Sequence, residues 1–385
     1  MTRLAARVAG VLLGTGALLL APASGQPPRV EPLVSVAVTD KKANILDCAG
    51  LAFLPDGARV AVRWERHSLG LGPSDAQLLV VGPRGEKSAP LVLPAGDYPG
   101  EPSASRVAVS RAGEILTPGK ANHLLLQPVG PGPALPPVKG VELTAGSVLV
   151  KGVWLAGPAD GVFVLRSMSL DKPAYQLVAV EGAPLTEGKG RTRTLLGGGE
   201  RSDLVTGADL HPSGGWFAVV TFTEPGRDGR LDLWQLGEAP QKKSLPLKVH
   251  AATVSFAPDG KSVALGLTDG TVAFRSTADL SERREPVVVG RFTVAALAHH
   301  PRGPFVACGT YDHDGAANLV VVRADTGAVV RRIPADPRGV QAVCFNATGT
   351  RIATFGGSGR VARVGHPRPG RADRVNAWPA SSRPG

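Results

Sequence analysis

Residues Thr253 to Leu265 read TVSFAPDGKSVAL, and this stretch contains the unit from which most of the chain is built. An apolar run precedes the turn Pro258-Asp259-Gly260, and a second apolar run follows it. Proline fixes its own φ and glycine tolerates a positive φ, so these residues favour a tight turn. Two β-prone runs joined by such a turn predict a β-hairpin.

The same plan recurs along the chain. The matching stretches are 50–61 (GLAFLPDGARVA), 207–219 (GADLHPSGGWFAV), 294–308 (VAALAHHPRGPFVAC) and 342–353 (AVCFNATGTRIA). Successive turn glycines at 214, 260, 303 and 349 are 46, 43 and 46 residues apart. From Gly57 to Gly113 and on to Gly214 the gaps are 56 and 101 residues, and the longer gap has room for one further unit with an irregular turn. The spacing predicts seven repeats, although six or eight would also fit.

A third β-prone run follows each of the last four hairpins, at 230–235, 270–275, 318–323 and 359–364. The first of these runs contains Trp234, a Thr326-Gly327 turn follows the third, and His250 stands just ahead of a hairpin. These features resemble the WD40 family, in which the third strand of each blade ends near a Trp-Asp pair. Most units here lack that pair, so the resemblance is to a divergent, bacterial type of repeat. It implies an all-β, seven-bladed β-propeller over residues 33–364.

The last blade needs an outer strand that the following sequence does not supply, because the residues beyond 364 are rich in Pro, Arg and Gly. The run LVSVAV at residues 33–38 is β-prone and otherwise unassigned. We expect it to be the outer strand of the blade formed by 340–364. Such pairing would close the ring and cover an open sheet edge.

Both ends of the chain lie outside the repeats. Arg3 and Arg7 precede the apolar run 8–20, and small residues follow it at 21–25, which is the order of a secretory signal peptide. Residues 1–25 therefore predict export to the periplasm or the medium, and no later apolar run is long enough to span a membrane. Residues 365–385 are predicted to form a disordered basic tail. Its arginines are Arg368, Arg371, Arg374 and Arg383.

Composition limits the partners and the redox chemistry. The formal charge is +11, yet no run of five Lys or Arg exists and aromatic residues make up 5%, too few to stack on single-stranded nucleic acid. Binding of an anionic polymer through the basic surface stays a third hypothesis. An odd number of cysteines, Cys48, Cys308 and Cys344, predicts buried thiols, with a Cys308–Cys344 disulfide as the alternative.

Signatures of catalysis and of metal binding are missing from the sequence. Residues 356–360 depart from the hydrolase motif GxSxG because Arg360 replaces the last glycine, and neither HExxH nor CxxC occurs. His299-His300 and the polar stretch 311–314 are expected at opposite ends of one strand, so they do not predict a shared metal site. We therefore predict no enzyme activity, cofactor or metal. The alternative is a propeller hydrolase or lactonase with a site at the channel mouth, for which the polar candidates are Asp47, Asp209, His250 and His299.

The function predicted from the sequence is a protein or peptide interaction scaffold. Candidate contact residues are Trp64, Arg66, His67, Tyr311 and His313, because they border the predicted loops. Three other tryptophans, Trp154, Trp216 and Trp234, are predicted to pack between blades. Residues 181–202 are predicted to be an inserted loop, a kind of segment that is often functional.

Overall fold

A computed structural model describes residues 34–37, 46–66, 75–93, 107–118, 123–129, 139–142, 148–157, 161–168, 174–181, 191–199, 203–223, 229–312 and 317–365. These residues form seven antiparallel sheets of four strands each, which confirms the all-β class and the seven blades. No helix among the described residues is long and apolar enough to cross a membrane.

The strands are numbered along the chain, and each blade runs from strand a, next to the central axis, to strand d, at the outside. The first strand, β1 (Val34–Ala37), belongs to the last blade. Blade 1 comprises β2 (Leu46–Phe53), β3 (Val60–Arg66), β4 (Asp75–Val81) and β5 (Leu91–Leu93). Blade 2 comprises β6 (Ala108–Val109), β7 (Ile115–Pro118), β8 (His123–Gln127) and β9 (Lys139–Glu142). Blade 3 comprises β10 (Val148–Ala156), β11 (Gly161–Met168), β12 (Tyr175–Glu181) and β13 (Arg191–Gly198).

The four later blades follow the sequence repeats closely. Blade 4 comprises β14 (Asp203–Leu210), β15 (Trp216–Thr223), β16 (Gly229–Gln235) and β17 (Gln241–Leu247). Blade 5 comprises β18 (Ala251–Phe256), β19 (Ser262–Leu267), β20 (Thr271–Ser276) and β21 (Glu282–Val288). Blade 6 comprises β22 (Val294–His299), β23 (Phe305–Thr310), β24 (Leu319–Arg323) and β25 (Val329–Ile333). Blade 7 comprises β26 (Val340–Phe345), β27 (Arg351–Gly356), β28 (Arg360–Gly365) and β1.

The inner strands define the ring, since each contacts the inner strand of the next blade in the order β2, β6, β10, β14, β18, β22, β26 and back to β2. The core lies between the blades rather than inside any one of them. Seven clusters of buried apolar side chains are found, one at each interface between neighbouring blades. A single blade would leave both of its apolar faces in water, so the ring is the unit that buries them.

The alternation of side chains along a strand explains how one strand serves two interfaces. In β3, Val60, Val62 and Trp64 pack against blade 7, while Ala61 packs against blade 2. Trp64 is 2% exposed, so the prediction that it is an exposed contact residue is wrong. Trp154 and Trp234 are buried between blades 3 and 4, as predicted, and Trp216 is half-buried.

Strand a contains a β-bulge that the sequence pattern does not predict. In six blades a β-bulge lies near its start, between residues 48/50, 150/152, 205/207, 251/253, 294/296 and 340/342. The extra residue does not enter the regular pairing with strand b. In four of the bulges it lines the central channel, as Thr206, Ala252, Ala295 and Gln341.

The a–b turns mostly follow the sequence prediction. Among the predicted turn glycines, positive φ angles occur at Gly57, Gly113, Gly214, Gly260 and Gly349 but not at Gly303. The irregular turn expected between 113 and 214 begins at Gly157 in blade 3. The prediction of an inserted loop over 181–202 is wrong in part, because Arg191–Gly198 pairs with β12 as an outer strand.

Blade 7 combines strands from the two ends of the described chain, and two cysteines lie in blades 6 and 7. β1 pairs antiparallel with β28, with Val34 opposite Arg363, in the position that the sequence assigns to residues 33–38. Arg363 also ties the last blade to the first, because its guanidinium donates to the carbonyl oxygens of Ala58, at 2.5 Å, and of Gly82. Cys308 is buried and Cys344 half-buried, and no disulfide joins these two residues. The side chain of Cys48 lies outside the described residues.

Strand direction divides the loops between two faces. Each d–a loop and b–c turn lies at the face where strand a begins, which we call the DA face. Each a–b and c–d turn lies at the opposite face, which we call the AB face.

Candidate functional site

A channel of about 1040 Å³ runs along the axis and is lined by inner strands of all seven blades. Its walls are mostly small or apolar residues. At the DA face its lining includes Leu204, Phe222 and Tyr311, and at the AB face it includes Pro212 and Pro258. A concave, mainly apolar space with a few polar groups is the usual form of a binding site.

The polar side chains that the structure describes in the channel are not arranged as a catalytic constellation. The Asp209 carboxylate accepts the N–H of Phe256 at 2.8 Å. The Ser255 hydroxyl lies 3.2 Å from Nδ1 of His299, and Nε2 of His299 is buried with no hydrogen-bond partner among the described residues. The described contacts of this hydroxyl–imidazole pair include no carboxylate on the histidine to orient it, as a nucleophilic serine site would need.

The other predicted channel candidates are also engaged or undescribed. The His250 ring stacks on Phe222 with centroids 5.3 Å apart, and the side chain of Asp47 lies outside the described residues. His299 and Tyr311 lie at opposite ends of blade 6, as the sequence predicts. Among the described residues no group of three His, Cys, Asp or Glu side chains could hold a metal ion.

Exposed apolar side chains are concentrated on the DA face. Among the described residues, the large exposed apolar side chains are Val92, Leu204, Val288, Phe292, Tyr311 and Val329. Four of them, Leu204, Val288, Phe292 and Tyr311, lie on or beside DA-face loops, whereas Val329 lies at the AB end of β25. Phe292 is 52% exposed and Leu204 45%. Apolar groups left in water on one face mark that face as a place for contact.

These apolar residues form an arc over blades 4 to 6. Leu204 pairs with Phe222 across β14 and β15, and Phe222 stacks on His250 at the start of blade 5. The Thr268 N–H donates to the His250 carbonyl, and the Tyr311 N–H donates to the carbonyl of Thr293, which follows Phe292. These backbone hydrogen bonds tie the b–c turns of blades 5 and 6 to the d–a loops that precede the same blades.

Three successive d–a loops add one exposed cation each to this surface. Lys248, Arg291 and Arg338 stand between strand d of one blade and strand a of the next in blades 4 to 7. None of them forms an ion pair with a described residue. The exposed carboxylate described in the same region is Asp269, which accepts the N–H and the hydroxyl of Thr271. The described part of the DA face is therefore both apolar and positive.

Two buried carboxylates fix the backbone of these loops. Asp312 accepts the N–H of Arg291 at 3.0 Å, and Asp336 accepts the N–H of Arg338 at 2.8 Å. Asn318, which is 1% exposed, donates its amide to the carbonyl oxygens of both aspartates. Each aspartate also accepts a hydroxyl group, from Thr310 and Ser358 respectively. Hydrogen-bonded buried groups of this kind rigidify what they hold.

The sequence located one residue of this surface. Tyr311 is 36% exposed on the DA face, and its role in contact stays a prediction. Trp64 is buried, and His67, His313 and the side chain of Arg66 lie outside the described residues. Sequence reasoning missed Leu204, Phe292 and the three loop cations. The signal available for the cations was their recurrence between the last strand of one repeat and the first strand of the next.

Comparison with known proteins identifies the fold. No family model matches the chain, and no curated protein matches its sequence. Among solved structures, the Dos1 propeller is similar with a TM-score of 0.57 and 10% identity, over 87% of this chain and 95% of that chain. The β-propeller domain of Cps50 (Swd1) from Myceliophteria thermophila is similar with a TM-score of 0.55 and 15% identity, over 87% of this chain and 100% of that one. At these identities the likeness shows the fold alone, a β-propeller, and the described sheets number seven.

Proposed function

We propose that the protein is a non-catalytic scaffold that binds a protein partner on its DA face. The observation that carries this proposal is the uneven distribution of exposed apolar side chains, with four of the six described ones on or beside that face. A rigid ring that presents loops from successive blades suits recognition of a protein surface. The similarity to WD40-type propellers, which are generally non-enzymatic, supports the same reading.

A photo-crosslinking amino acid at position 292 tests the choice of face. In native cells we expect it to give one discrete adduct, identified by mass spectrometry, because this side chain is half-exposed in a d–a loop of the DA face. The same amino acid at Lys261, an exposed AB-face position, is expected to give none. The adduct at 292 should disappear with Leu204→Asp, since a buried unpaired carboxylate disfavours an apolar contact, and persist with Val329→Asp. Adducts from position 261 alone would contradict the proposal.

We also propose that this scaffold acts outside the cytoplasm. The support is the order of charged, apolar and small residues over 1–25, which lie outside the described residues. The mature protein is expected to begin close to residue 24 or 26, after Ala23 or Gly25. N-terminal sequencing of the protein recovered from the envelope or the medium checks this. A cytoplasmic protein that retains Met1 or Thr2 would refute it.

A further inference from the structure

We propose that the DA face over blades 4 to 7 binds an extended, acidic segment that also carries apolar side chains. This inference rests on the proposed function and specifies the chemistry of the partner. Its basis is the combination of the apolar arc with Lys248, Arg291 and Arg338, one cation in each of three successive loops.

Charge is the first argument. Lys248, Arg291 and Arg338 are exposed, and the exposed anion described nearby is Asp269, whose carboxylate already accepts two hydrogen bonds from Thr271. A fourth cation, Arg230, is half-buried and paired with Asp203, so it adds no free charge. The described residues of this face therefore carry a positive charge, which attracts a partner with carboxylates and repels a partner with lysines.

Preorganisation is the second argument. The backbones of Arg291 and Arg338 are held by Asp312 and Asp336, which are each 5% exposed and are joined through Asn318. Because these loops are already ordered, they lose little conformational entropy when a partner binds the two guanidinium groups. An interface that is ordered before binding binds more tightly.

The apolar arc decides between a peptide and a purely anionic polymer. Leu204, Phe222 and Tyr311 line the channel at this face, and the exposed Phe292 directly follows Arg291 in the same d–a loop. A polysaccharide or a nucleic-acid backbone would use the charges but would leave these side chains without apolar partners. A segment in which acidic residues alternate with Leu, Phe or Trp uses both features.

The test is selection of a random 12-residue peptide library, displayed on phage, against the immobilised full chain. We expect enrichment of peptides that combine Asp or Glu with Leu, Phe or Trp. The dissociation constant of a selected synthetic peptide should rise about tenfold in R291Q/R338Q, because both charges would face its carboxylates. The matched control K261Q/R302Q removes two exposed AB-face cations and changes net charge equally, and it should alter the constant less than about twofold.

Other outcomes separate this inference from the proposed function. If the enriched peptides are neutral or basic, and their binding is lost with Phe292→Asp but kept in R291Q/R338Q, the acidic partner is wrong and DA-face binding stands. If peptides bind and neither variant matters, both are wrong. If no peptide is enriched while heparin fragments bind wild type and fail to bind R291Q/R338Q, the partner is a polyanion. If nothing is enriched and heparin does not bind, the inference is also overturned, and the crosslinking result alone decides the proposed function.

Discussion

Replacing Gly266 with valine is expected to lower the free energy of unfolding by about 3 kcal/mol or more. Gly266 lies in β19, where it pairs with Thr253 just after the bulge of strand a. A Cβ atom at this position would lie 2.7 Å from the carbonyl oxygen of Val294, the first residue of the next blade's inner strand, and 2.7 Å from the Thr253 methyl. Because the first of these neighbours is backbone, relief requires the two blades to separate.

Urea unfolding of three variants checks this expectation. If Gly266→Val fails to fold, Gly266→Ala takes its place in the measurement, because it introduces the same Cβ with fewer other contacts. Gly266→Ala should lower the free energy of unfolding by about 1 to 3 kcal/mol. Gly237→Ala is the matched control, since a Cβ there would meet no atom within 4 Å, and its effect should stay within about 0.5 kcal/mol. Equal stability of Gly266→Ala and Gly237→Ala would show that the blades do not approach each other as closely as the structure has them.

Replacing His299 with phenylalanine is expected to make the protein more tolerant of acid. His299 pairs with Val306 at the end of strand a, where the corresponding residues of blades 5 and 7 are Phe256 and Phe345. Burial lowers the pKa of His299 to about 4, against a smaller opposing effect of the Asp259 carboxylate. The imidazole is thus neutral in the folded chain, and its Nε2 is buried without a described partner.

The sign of this pH effect follows from the protonation of His299 in the folded and in the unfolded chain. An unfolded histidine titrates near pH 6.5, so below that pH the unfolded chain binds a proton that the folded chain does not. The contribution of His299 to stability is complete above pH 6.5 and is lost progressively as the pH falls towards about 4. Since one pKa unit corresponds to about 1.4 kcal/mol, the advantage of His299→Phe over wild type should grow by roughly 1.4 kcal/mol per pH unit across that window.

Chemical denaturation at pH 7.5, 6.0 and 5.0 measures this difference, because all other titrating groups are shared by the two proteins. His211→Phe is a suitable control, since it removes a different imidazole of the AB face and leaves His299 in place. A constant difference between wild type and His299→Phe at all three pH values would contradict the assigned pKa.

Much of the ring was predictable because its units carry their own turn chemistry. The hairpins of blade 1 and of blades 4 to 7 follow from Gly-containing turns between apolar runs, and the two Pro-Asp-Gly turns, at Gly57 and Gly260, are the clearest of them. Burial of Trp64 was also predictable and was missed, since it shares one face of β3 with Val60 and Val62 by simple alternation. The segment 181–202 predicts a loop because it is rich in Gly, Lys, Arg and Thr, yet β13 within it is an outer strand, and an outer strand carries polar residues on its solvent side.

The candidate site was less predictable, for a physical reason. Leu204 and Phe292 are apolar residues beside strands, and in the sequence they cannot be told from core residues. Their exposure depends on where the neighbouring blade ends, which is a property of the assembled ring. Loop cations likewise become a surface only when successive repeats are placed side by side.

The bulges near the start of strand a affect how the lining of the central channel can change over evolution. Thr206, Ala252, Ala295 and Gln341 line the channel but stand outside the regular pairing that sets which residues meet the neighbouring blades. Exchanging such a residue alters the lumen while the alternation that packs the ring is kept. One and the same scaffold can in this way acquire a new interior lining, blade by blade, without refolding its walls.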